Sequence, residues 1–183
     1  MIKVVGHAEQ SFVFPAELPI AYAYYGDVAR LLNYLPHISL VRAYGPDRFR
    51  LLYSSMELGA YQIQIFADVQ TTLDEGWVLR VHPLSGIAPV EPSTGLHSST
   101  AQGFFASRSF FREEGTQTHI DYSLDLQAKL PTPLGLRLMP GRMVNRIASS
   151  ITHSRIRETV EGFVNLSIAA FPYWLDEIQN SPP

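Results

Sequence analysis

Two stretches of this chain alternate so strictly between apolar and polar residues that no helix could accommodate them. In YQIQIFADV, residues 61–69, Tyr61, Ile63, Ile65, Ala67 and Val69 share one face, while Gln62, Gln64 and Asp68 point the other way. THIDYSLDL, residues 118–126, repeats the device with Ile120, Tyr122, Leu124 and Leu126 against His119, Asp121, Ser123 and Asp125. A period of two with one polar face means antiparallel strands with one side in water. Further strands are predicted at 3–14, 39–44, 49–57, 76–82 and about 101–113. Turn-like GPD (45–47), LGA (58–60) and DEG (74–76) separate the central ones, and a Pro/Gly/Ser-rich loop spans 83–99.

Helical periodicity brackets this block. In AYAYYGDVARLLNYLPH, residues 21–37, apolar side chains recur at helical spacing, from Ile20 just before it through Tyr24, Val28, Leu31 and Leu32 to Leu35. Gly26 is a poor interior residue and Asp27 a good N-cap, so two short helices, about 19–25 and 28–34, should meet in a bend there. Pro19 suits a first helical turn, and Pro36 ends the second helix. From PGR at 140–142 a helical run reaches about Ile178. Its apolar phase shifts. Val144, Ile147, Ala148 and Ile151 form one stripe; Val160, Val164, Ile168, Phe171, Leu175 and Ile178 form another, roughly opposite on a straight helix. Either the run breaks near Thr152–Ser154 or its first half meets something other than the main core, and Pro172 should add a kink or a restart.

The 183 residues suit one domain, 1–183, large enough for a real core. Cysteine is absent, which removes disulfides and thiolate chemistry. No stretch approaches the ~18 apolar residues of a bilayer span, and the N-terminus does not read as a signal peptide. A net charge of −3 argues against nucleic-acid binding. The expectation is a cytoplasmic protein, possibly peripheral to a membrane.

The element order and the bent pair ending in GDVARLLNYLPHI, residues 26–38, resemble the helix-grip fold of the START-like (Bet v 1-like, SRPBCC) superfamily. RFRLLYSSMELGAY (48–61), ADV (67–69) and VLRVHP (78–83) look similar to an uncharacterised cyanobacterial and plastid branch of it. The resemblance implies an α+β chain: a curved antiparallel sheet of about seven strands wrapped around a long C-terminal helix, with two short helices after strand one. The space between sheet and helix would be filled by side chains or by a ligand.

Two readings of the inward face therefore stay open, an ordinary core and an apolar cavity with tyrosine hydroxyls as its polar handles. The candidate ligand-binding residues are Tyr24, Leu31, Tyr53, Tyr61, Ile63, Trp77, Leu79, Tyr122 and Ile147. An apolar or amphipathic small molecule (a lipid, isoprenoid or tetrapyrrole) is the expected partner. No cofactor is expected. No metal-ligand spacing, P-loop, dinucleotide fingerprint or nucleophile elbow occurs. The superfamily includes cyclases and lyases that use cavity acids and tyrosines. Here the one carboxylate with inward parity is Glu57, and its place at a strand end predicts a solvated side chain, so no catalytic residue is assigned.

The charge distribution is uneven. Gln127 to Ile156 holds no acidic residue but contains Lys129, Arg137, Arg142, Arg146 and Arg155, with Arg157 next. Arg137, Arg142 and Arg146 are candidates for an anionic-surface contact, and the alternative is a solvated helix face. A filled-core protein docking a partner or an anionic membrane through this basic helix is the second functional reading, and a cyclase- or isomerase-type enzyme the third.

Overall fold

The computed structural model describes residues 1–180. Its strands are β1 (Ile2–Phe14), β2 (Ile38–Ala43), β3 (Arg48–Glu57), β4 (Tyr61–Asp74), β5 (Val78–Pro83), β6 (Ser93–Thr94), β7 (Ser98–Glu114) and β8 (Gln117–Leu130). The α-helices are α1 (Leu18–Gly26), α2 (Val28–Leu31) and α3 (Gly141–Asn180). Single 3₁₀ turns lie at Leu32–Tyr34 and Leu134–Leu136.

One curved sheet runs β1-β8-β7-β5-β4-β3-β2, with β6 paired to β7. Neighbours are antiparallel except where the short β5 runs out. There β4 and β7 meet directly, Gln62–Phe66 beside Ser98–Gln102, and are parallel. The sequence expectation of an antiparallel sheet around a C-terminal helix with two short helices after the first strand describes this architecture. The bend falls at Gly26–Asp27, where the Asp27 carboxylate accepts the Arg30 backbone N–H at 3.4 Å and opens α2.

Helix α3 is continuous over 40 residues, about 60 Å at 1.5 Å per residue. It does not break at Thr152–Ser154 and does not restart at Pro172. Its two apolar stripes are joined by polar residues. Thr152, Thr159 and Ser167 are buried in the seam between Val144 and Trp174, so the contact line drifts around the helix as the sheet twists. Thr152 and Thr159 return their hydroxyl hydrogens to the carbonyls of Ala148 and Arg155, which removes the cost of burying them. Ser167 is bonded on three sides. Its carbonyl accepts from Tyr24 Oη at 2.7 Å, its Oγ pairs with Tyr25 Oη at 2.9 Å, and the same Oγ donates to the Val164 carbonyl.

The second half of α3 packs on an aromatic core. Phe14 at the end of β1 meets Tyr24, Tyr25 and Phe171 with ring centroids 4.8–5.4 Å apart, and Tyr122 meets Phe163 at 4.9 Å. A smaller cluster under the first half joins Ile2, Val4, Ile65, Ala101, Ala128, Leu130 and Val144. Helix and sheet approach closely at Gly6 on β1, where any Cβ would collide with Ile156.

Candidate functional site

Beside the smaller cluster, under the first half of α3, the sheet and the helix do not close. The gap is a cavity of about 110 Å³. One buried water needs roughly 10–15 Å³, so the space has room for several. Its floor is β1 and β8, through Ile2, Val4, Leu124 and Leu126. Its roof is α3, through Val144, Ile147, Ala148 and Ile151. One end is covered by the segment 133–139, which inserts Pro133, Leu136 and Met139. The walls are overwhelmingly apolar.

Polar groups gather on one side. Successive inward positions of β3 are Tyr53, Ser55 and Glu57, and Tyr61 pairs with Glu57 at the start of β4. Glu57 was expected in solvent, but it is only 9% exposed. Its carboxylate accepts from Arg155 Nε at 3.0 Å and Nη2 at 3.4 Å. The sequence could not show that counter-charge, because Arg155 lies on α3, 98 residues away. Arg155 also donates to Glu158 at 2.7 Å, and the His37 ring reaches Glu158 at 3.2 Å. Hydrogen bonding to Glu57 and then Glu158 holds the Arg155 guanidinium above its ordinary range. Arg155 comes first among the groups that hold the Glu158 carboxyl below its usual range, with His37 second.

Burial pushes the Tyr53 hydroxyl upward. Ser55 Oγ makes no hydrogen bond among the described residues, although Ser55 is only 7% exposed. Nothing in the sequence distinguished Ser55, whose only signal was its alternation with Tyr53 and Glu57. Among the described residues no group of three or more His, Asp or Glu could hold a metal ion.

Of the nine residues singled out in the sequence, Tyr53, Tyr61, Ile63 and Ile147 lie on the cavity wall. Tyr24, Leu31, Leu79 and Tyr122 sit in the filled aromatic core instead. Parity put Leu79 and Tyr122 on the correct face of the sheet but could not say where along it the core gives way to the cavity. Burial in that core drives the Tyr24 and Tyr122 hydroxyls well above their ordinary range. Trp77 is a different error. It precedes β5 in a turn with φ of 62°, which swings it to the outside, 40% exposed against Tyr22.

Arg137, Arg142 and Arg146 are exposed and make no ion pair among the described residues. Arg155 is committed to Glu57 and Glu158, and Arg157 lies 3.7 Å from Glu161, so the basic segment is smaller in effect than in sequence. Beside the free arginines stand Leu134, Met143 and Leu138, the last 97% exposed. No helix among the described residues is long and apolar enough to cross a membrane.

No family model and no curated protein matches the chain. Solved structures do match. The Zhui aromatase/cyclase from Streptomyces sp. R1128 superposes with a TM-score of 0.57 at 12% identity, over 92% of this chain and 94% of that one. A conserved protein from Geobacillus kaustophilus gives 0.56 at 9% identity, over 92% and 96%. The di-domain ARO/CYC StfQ of the steffimycin biosynthetic pathway gives 0.53 at 11% identity, over 94% of this chain and 52% of that one. The chain therefore shares the helix-grip fold of these structures, as the sequence resemblance implied. Identity this low speaks for the fold alone.

Proposed function

We propose that the chain is a binding protein for an apolar or amphipathic small molecule, such as a lipid, isoprenoid or tetrapyrrole, held between the sheet and the first half of α3. The observation that carries this reading is the open gap of about 110 Å³ in a chain that packs an aromatic core under the other half of the same helix. Apolar walls with few polar groups are what small-molecule sites are made of. Glu57 is spent on Arg155, so a cyclase-type reading lacks a free acid on the cavity wall. Native mass spectrometry of protein purified from its own host is the test. A bound apolar compound, released on denaturation and absent from an Ile147→Trp variant, is expected. Wild-type protein that carries no compound, and takes up none when offered naphthalene, overturns the reading.

Exposed Leu134, Leu138 and Met143 among the exposed Arg137, Arg142 and Arg146 favour a second, compatible reading, a weak peripheral contact with anionic lipid. Basic side chains near such a surface contribute about 1 kcal/mol each, and apolar ones can enter the interface.

A further inference from the structure

We propose that the cavity selects a neutral compound carrying a hydroxyl or carbonyl oxygen at one edge of an apolar body, and that the Ser55 hydroxyl is the group that holds that oxygen. This rests on the binding function proposed above and names the ligand's chemistry. The argument is an account of every polar group on the wall. Thr152 and Thr159 give their hydroxyl hydrogens to α3 carbonyls. Glu57 and Arg155 are bonded to each other, and Arg155 also to Glu158. The Tyr53 and Tyr61 hydroxyls belong to residues that are only half-buried, and the one fully buried polar side-chain atom without a partner among the described residues is Ser55 Oγ, one inward position from Tyr53 on β3.

A buried hydroxyl with no partner destabilises a fold, and replacing it with a methyl-sized group removes that cost. A serine that faces an apolar gap in this condition is matched by a ligand atom that can donate to it or accept from it.

The same corner sets the ligand's charge. An anion at Ser55 would face the Glu57 carboxylate at the next inward position of the strand, with Arg155 already engaged by two carboxylates. A cation would have to compete with Arg155 for Glu57. A neutral oxygen meets neither obstacle, and its apolar body extends along Val4, Leu126, Ile147 and Ile151.

Equilibrium dialysis against three probes of one shape tests this: naphthalene, 2-naphthol and 2-naphthoate. Wild-type protein is expected to bind 2-naphthol about tenfold more tightly than naphthalene, the scale of one net hydrogen bond, and 2-naphthoate most weakly. Ser55→Ala should leave naphthalene affinity unchanged and abolish the preference for 2-naphthol. Without ligand, that variant should melt no lower than wild type, because an orphan hydroxyl has been removed. Equal binding of naphthalene and 2-naphthol by wild type overturns the anchor and leaves the cavity function standing. Tightest binding of 2-naphthoate overturns the neutral assignment in favour of Arg155. Binding of none of the three removes the cavity function and this inference together. A lower melting temperature for Ser55→Ala would show that the hydroxyl serves the fold, and would refute its assignment to the ligand.

Discussion

Ala148→Leu distinguishes a hollow protein from a filled one by the sign of a stability change. Ala148 is half-buried on α3, lines the gap and borders the smaller cluster. Alanine and leucine are both strong helix formers, so propensity scarcely enters. Leucine adds three carbons. At about 0.8 kcal/mol per buried methylene the gain is about 2.4 kcal/mol, less about 0.5–1 kcal/mol for the side-chain freedom lost. If the gap is open, the variant should be about 1.5 kcal/mol more stable. For a domain of this size that raises the melting temperature by about 3–6 °C. Were the space already occupied by side chains, the same substitution would overpack the core and cost about 1–3 kcal/mol. Urea unfolding at equilibrium, with the slope against denaturant checked for constancy, measures the difference. Because the added carbons take ligand space, naphthalene binding should weaken in the stabilised variant. A loss of stability above 1 kcal/mol would refute the open gap.

Other perturbations read other parts of the structure. Gly162 on α3 faces the Pro36 ring, and Gly162→Ala should lower stability by about 1–2 kcal/mol despite the ~1 kcal/mol helix gain, because the ring cannot move aside freely; a more stable variant in urea melts would show that the Pro36 turn is mobile. The Glu158 carboxyl is held below its ordinary 4.5, so the folded chain binds fewer protons there than the unfolded one. Its contribution is complete above that value and vanishes as pH falls through the lower folded one. Glu158→Gln should therefore flatten the acid limb of the melting temperature below pH 4.5, and an unchanged limb would place acid sensitivity elsewhere. Flotation with vesicles containing anionic lipid should be weak, reduced by salt, and lost on Arg142→Glu with Arg146→Glu; equal flotation with neutral vesicles would make the basic face merely solvated.

The sequence by itself determined the strands, the bend and the general form of the fold. Those depend on local chemistry: alternation in 61–69 and 118–126, a glycine before an aspartate cap, prolines at helix ends. It also put Tyr53, Ile63 and Ile147 on inward faces, because parity is a property of the strand or helix alone. It could not divide that interior into core and cavity. Tyr122 and Leu126 share a face of β8, yet Tyr122 meets Phe163 while Leu126 borders the gap. That depends on where α3 lies over the sheet. Its seam is carried by Thr152, Thr159 and Ser167, which an apolar count passes over. Nor could the sequence pair Glu57 with Arg155, or leave Ser55 without a partner. Both are facts about three-dimensional proximity between a strand and a helix almost a hundred residues apart, and only the folded chain brings those groups together or keeps them from one another.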